Sequence, residues 1–138
     1  MKIFYIVPLV FVLLANSCSK DVKLKEGTMQ MGFHQCAEGK IAGDNLRFCF
    51  DSLIEDSRCP ANAICVWQGA AVARFSFTNN QETSSFRLST INMPPNYIKD
   101  TVVMGYKIEF INLTPYPGTV PSPIPDNDRK VEVKITKQ

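Results

Sequence analysis

From position 29 onward the apolar residues of this chain recur at every second position, and no other feature limits its fold as strongly. Met29, Met31 and Phe33 form the first run, followed by Leu46, Phe48 and Phe50, and then by Ala71, Ala73, Phe75 and Phe77. Tyr106, Ile108 and Phe110 repeat the pattern. Val131, Val133 and Ile135 close the chain, with Lys130, Glu132 and Lys134 on the alternate positions. Period two is the mark of a strand with one buried face. Phe86 and Leu88 suggest a further strand after the turn Thr78-Asn79-Asn80-Gln81. Gly39, Gly43, Asp44 and Asn45 separate the first two runs, and Pro94-Pro95-Asn96 interrupts the middle. Pro115, Pro117, Pro121, Pro123 and Pro125 remove ladder donors between residues 114 and 128, which predicts an extended surface crossing. The expected fold is all-β, a small single-domain β-sandwich or barrel of about six to eight strands occupying residues 29–138.

The N-terminus has a different character. Lys2 precedes an uncharged apolar run from Ile3 to Leu14, and Ala15, Asn16 and Ser17 lead to Cys18. A basic start, a short apolar stretch and a small-residue exit describe a secretory signal peptide over residues 1–17. The apolar run is shorter than the roughly 20 residues a membrane-crossing helix needs. The segment LLANSC resembles a bacterial lipobox, in which the cysteine after the cleavage site accepts a diacylglyceryl group. On that resemblance Cys18 is the expected lipidation site, and residues 18–28 are its anchor and a polar tether. Ala15 and Ser17 also satisfy the small-x-small pattern of ordinary secretory cleavage.

Five cysteines are present, and Cys18 as a lipid carrier leaves Cys36, Cys49, Cys59 and Cys65 to pair in an oxidising compartment. Four cysteines allow three connectivities. Cys49 lies between Phe48 and Phe50, and Cys36 lies an odd number of residues from Phe33, so both face outward if the aromatics face inward. That parity favours Cys36–Cys49 across a hairpin. Cys59 and Cys65 then close a short loop containing Pro60. Loops of this size contribute about 2–3 kcal/mol each through lost unfolded-state entropy.

Several function classes find no support. The net charge of +2 falls to +1 without Lys2 and is dispersed, which is no footprint for nucleic acid. The single histidine, His34, sits in a strand pattern, and Glu55-Asp56 are neighbours in an expected loop, so no catalytic residues are assigned. No metal site is assigned either: His34, Cys36 and Cys49 lack paired zinc-knuckle spacing, and oxidation competes with thiolate ligation. No cofactor is expected. Asp51-Ser52-Leu53 and Asp100-Thr101-Val102 resemble short acceptor patterns for bacterial O-glycosylation.

The most distinctive stretch is EDSRCPANAICVWQG, from Glu55 to Gly69. Its D-S-R-C-P followed by C-x-W-x-G resembles a motif of small Bacteroidota-type lipoproteins whose function is unassigned, carried by Asp56, Ser57, Arg58, Cys59, Pro60, Cys65, Trp67 and Gly69. Gln68 departs from the small residue usual at its position. The resemblance implies an envelope family without implying an activity. A structural reading has the cysteine pair and Pro60 rigidify the loop, Arg58 bond Asp56 or carbonyls, Trp67 cover the core, and Gly69 mark a bulge. A functional reading makes the loop a recognition surface anchored by Arg58 and Trp67, residue types that dominate binding hot spots. In both, the Arg58 head is expected in solvent or loosely paired, at a cost under about 1 kcal/mol on removal. A core-covering Trp67 would cost about 3–5 kcal/mol.

The expected protein is a non-catalytic binding or structural module of the cell envelope. Its lipid on Cys18 is held in the inner or outer membrane, and its partner is a protein or a glycan. The alternative is an exported protease inhibitor presenting Arg58-Cys59-Pro60 or the proline-rich segment, and an envelope enzyme ranks third.

Overall fold

A computed structural model describes residues 22–138, so the signal segment, Cys18 and residues 19–21 lie outside the described residues. The chain forms nine strands: β1 (Val22–Lys23), β2 (Gly27–Gly32), β3 (Cys36–Ile41), β4 (Asp44–Asp56), β5 (Ala71–Asn79), β6 (Glu82–Ser89), β7 (Asp100–Val103), β8 (Tyr106–Thr114) and β9 (Lys130–Lys137). One sheet has the order β1-β3-β4-β5-β6 and the other β2-β9-β8-β7. Their inner faces meet as a sandwich. Phe75 packs edge-on against Phe110 at 5.4 Å, and Phe77 lies 5.5 Å from Tyr106. Such pairs add about 0.5–1.5 kcal/mol beyond the area they bury.

The period-two runs are the core. Phe48, Phe50, Phe75, Phe77, Ile108, Phe110, Val131, Val133 and Ile135 are fully buried, and all core residues lie between Leu24 and Ile135. In β8 the alternation breaks after Phe110, yet Leu113 is buried as well. A register shift against β9 between Phe110 and Asn112 inserts one residue and turns Leu113 back to the core.

Three strands were not read from the sequence, and each has a physical reason. Strand β3 places only Ala37 and Ile41 inside, and at Gly39 an added Cβ would stand 2.2 Å from the Leu24 carbonyl oxygen. Small side chains here admit a close backbone neighbour and leave no apolar signature. Strand β7 is a four-residue edge. Strand β1 lies in what was expected to be tether. Val22 and Lys23 pair in parallel with Ala37 and Glu38, and Leu24 is buried in the core. Residues 22–24, expected in the tether, are therefore part of the folded sandwich.

Both disulfides form as expected, Cys36–Cys49 and Cys59–Cys65. The first joins directly opposed residues of β3 and β4, with Cα atoms 4.0 Å apart. Close Cα approach is the property of a non-hydrogen-bonded antiparallel pair. The hairpin differs from the one expected, because the Met29–Phe33 run belongs to the opposite sheet, where β2 pairs with β9.

The two ends of the sandwich are unlike. At one end the short turns after β3, β5 and β7 join neighbouring strands, and we call this the hairpin end. The long connections, residues 57–70, 90–99 and 115–129, gather at the other end, which we call the crest. At the hairpin end the buried Tyr106 hydroxyl donates to the Asp44 carboxylate at 2.6 Å and to the Ile41 carbonyl at 3.1 Å. Burial and the Asp44 carboxylate push the Tyr106 hydroxyl up to about 12. The unfolded chain releases this proton near pH 10 and the folded chain holds it longer, so the stability it contributes is complete below about pH 10 and is lost as pH rises toward 12. Thermal midpoints should fall more steeply between about pH 10 and 12 in the wild type than in Tyr106→Phe. Parallel slopes would show that this hydroxyl is not linked to folding.

Candidate functional site

The crest is built on a buried charge cluster at the ends of β4, β8 and β9. Strand β4 ends at Asp56, whose carboxylate accepts two bonds from Arg58, at 2.6 and 2.9 Å. The same carboxylate accepts a third from Arg129 at 2.8 Å. Arg58 also donates to the carbonyls of Leu113 and Pro115 at the end of β8, and its guanidinium lies 4.9 Å from the centre of the Tyr116 ring. One arginine thereby links β4, in the first sheet, to β8, in the second. Burial raises the Asp56 carboxyl, but the hydrogen bonds and charges of Arg58 and Arg129 outweigh it and hold the group below the usual carboxylate range.

This overturns the expectation that the Arg58 head faces solvent. The residue is only 6% exposed, because the carboxylate and two carbonyls give its donors partners inside. The pairing with Asp56 and the carbonyl bonds are those of the structural reading. Trp67 is corrected in the opposite sense. It is 41% exposed and leans on Tyr97 at 5.9 Å, so it packs on a neighbouring loop instead of covering the core.

Around the cluster the three loops fasten to one another. Ser57 N–H donates to Ala70 and Cys59 N–H to Gln68, which extends the β4–β5 ladder into the disulfide loop. Gly69 sits just outside β5 with φ +70°, and a Cβ there would lie 1.8 Å from the Ser57 carbonyl oxygen. The glycine marks this close crossing and not a bulge inside the strand. Ala61 N–H donates to Pro117, tying the disulfide loop to the proline-rich segment. The Tyr97 hydroxyl donates to Glu55 at 3.2 Å, as does Ser57 Oγ at 2.6 Å, which ties in the 90–99 loop. Burial and the Glu55 charge raise the Tyr97 hydroxyl, so it stays protonated as a donor.

What the crest presents is apolar. Residues 59–73, 88–98 and 110–125 contain no Asp, Glu, Lys or Arg. Ile64 and Val66, at the tip of the disulfide loop, are completely exposed, and Trp67, Met93, Ile98, Tyr116 and Val120 stand out around them. A cleft of about 370 Å³ opens beside the tip, between Pro60, Asn62, Pro117, Val120 and Ile124. The hairpin end carries Lys25, Glu26, Lys40, Asp44, Glu82 and Lys137 instead. Single exposed apolar side chains are ordinary, whereas a gathered set of them marks a surface that meets something.

The remaining sequence candidates are dispersed. His34 is exposed in the turn after β2, stacked on Phe33. Glu55 and Asp56 end β4 and do not stand in a loop. Cys36 and Cys49 are joined to each other, and among the described residues no group of three His, Cys, Asp or Glu could hold a metal ion. Asp51 accepts from Ser76 Oγ within the first sheet, while Asp100 pairs with Lys107 on the second. No protein-family model, curated protein or solved structure matches the chain.

The stabilities of two variants should reverse the order expected from sequence. Arg58→Ala leaves Asp56 buried with two of its three bonds gone and should cost about 3 kcal/mol, whereas Trp67→Ala should cost about 1 kcal/mol. Urea unfolding of both decides it. Because the folded Asp56 carboxyl is depressed, its share of stability is present above about pH 4 and is lost as pH falls further, so the gap between Arg58→Ala and wild type should narrow in acid.

Proposed function

We propose that this protein is a lipid-anchored module of the bacterial cell envelope that works by binding through its crest and not by catalysis. The carrying observation is the crest itself: three loops whose stretches 59–70, 90–98 and 115–125 carry no charge, held together over a buried ion cluster, with Ile64 and Val66 fully exposed. Preorganised loops lose little entropy on association, so an apolar tip of this kind suits recognition. The signal-like N-terminus, the lipobox-like LLANSC and the resemblance to Bacteroidota-type lipoproteins support an anchor on Cys18. Two closed disulfides accord with an oxidising envelope compartment.

The protease-inhibitor alternative loses its strongest element. An inhibitory loop must offer its specificity side chain to an enzyme cleft, and Arg58 points inward to Asp56, Leu113 and Pro115. The proline-rich segment remains exposed but is fastened to Ala61.

Two arms test the proposal. Growth with a fatty-acid probe should label the wild type and leave Cys18→Ala unlabelled; unlabelled wild-type protein in the medium contradicts the anchor. A chain starting at residue 18 with Cys18→Ser keeps every core residue and should be retained by isolated envelope fractions. Ile64→Asp/Val66→Asp should fold as before and lose that retention. Equal retention of both would remove the crest as the binding face.

A further inference from the structure

We propose that the surface met by the crest is the lipid bilayer itself, with Ile64 and Val66 entering the acyl boundary and Trp67 and Tyr116 resting at the headgroup level. This deepens the binding reading above and rests on it for the anchor on Cys18.

The first argument is the chemistry of the crest. An ionised group carried past the headgroups into the acyl region is costly, and residues 59–73, 88–98 and 110–125 have none. Aliphatic side chains at the tip with tryptophan and tyrosine set behind them follow the order in which these residue types distribute across a membrane interface. The nearest charges are displaced from the tip. Arg58 is buried beneath it, and Lys99, Asp126 and Asp128 stand where the loops rejoin the strands. A protein-binding surface is under no such demand, since its rim ordinarily carries charged residues.

The second argument is where the described chain begins and how much precedes it. Strand β1 is parallel to β3, which runs from the crest toward the hairpin end, so the chain enters the domain from the crest side. Only four residue steps separate Cys18 from Val22, a reach of about 14 Å at full extension. A lipid on Cys18 can thus lie no farther than that from Val22. Strand β4 continues eight residues past Phe48, which is level with Val22 through Ala37, a rise of about 25 Å. The tether is shorter than that rise, so the sandwich leans with its β1 edge toward the bilayer when lipid and crest engage one surface.

The third argument is stiffness. The Cys59–Cys65 bond, the Ala61–Pro117 hydrogen bond and the ion cluster below fix the tip before it meets anything. Ile64 inside the closed loop and Val66 just after its closing cysteine insert without first ordering the loop.

Trp67 is the only tryptophan in the chain and directly follows Val66, so its fluorescence reports the crest directly. The lipidated protein would be reconstituted into protein-free vesicles of phosphatidylethanolamine and phosphatidylglycerol containing a brominated lipid. The Cys18→Ser chain from residue 18 would be titrated with the same vesicles. Trp67 emission should shift to the blue and be quenched by the brominated lipid in the lipidated form. Salt should have little effect, because the inserting residues carry no charge. In Ile64→Asp/Val66→Asp the quenching should disappear, and the affinity of the Cys18→Ser chain for vesicles should fall by about tenfold or more. Quenching by aqueous iodide and not by brominated lipid, in both forms, overturns the proposal. Retention by envelope fractions without lipid quenching also overturns it, and shows a protein or glycan partner while leaving the binding reading intact. Quenching in the Cys18→Ser chain alone, with no fatty-acid label on the wild type, upholds the bilayer contact and ends the anchor reading.

Discussion

One carboxylate shared by two arginines holds the crest of this protein together. Asp56 lies where β4 leaves the first sheet, Arg129 where β9 enters the second, and Arg58 reaches from one to the other to satisfy the carbonyls of Leu113 and Pro115. Burying such a cluster is not an efficient way to gain stability, because desolvation consumes most of the attraction, and well-packed apolar side chains often do as well. Directed hydrogen bonds instead fix position. Arg58 can meet all of its partners in one arrangement of the two sheets, and that arrangement sets the bases of the loops.

The rest of the molecule divides around this constraint. Alternating phenylalanines and aliphatics from both sheets supply the burial that folds the chain, and tight turns close the hairpin end among exposed charges. The crest contributes little to the core, as its prolines, glycine and small polar residues indicate. Its exposed side chains are therefore free of packing duty. Their lack of charge is tolerated because the charged residues elsewhere on the surface keep the molecule soluble. The Cys36–Cys49 bond stiffens the middle of the first sheet, and the Cys59–Cys65 bond stiffens the tip.

Much of the fold was legible because one physical rule, alternation about a buried face, governs β9 and most of β4, β5 and β8. The rule failed where side chains are small or strands short, at β1, β3 and β7. It also failed to tell which sheet a strand joins, so the Met29–Phe33 run was paired with the wrong neighbour while the disulfide it suggested was right. The parity of Cys36 counted from Phe33 does not carry across the turn at His34 into the other sheet; the bond forms because the register of β3 on β4 sets Cys36 opposite Cys49. The site was less legible. Arginine next to a proline-cysteine step reads as exposed when only local sequence is considered, and its interior partners at Leu113 and Pro115 are more than fifty residues away. The absence of charge from residues 59–73, 88–98 and 110–125 was visible in the sequence, but only the fold shows that these three stretches meet.

The central claim is that the ion cluster makes the crest a preformed surface and not three independent loops. Native-state hydrogen exchange of the Ser57, Cys59 and Ala61 amides, which donate to Ala70, Gln68 and Pro117, reads this directly. The account predicts protection of all three in the wild type that approaches that of the neighbouring β4 and β5 amides. In Arg58→Ala these amides should exchange fast under conditions where the β4–β5 ladder stays protected. Rapid exchange of the three amides in the wild type, or protection unchanged by the substitution, would contradict it.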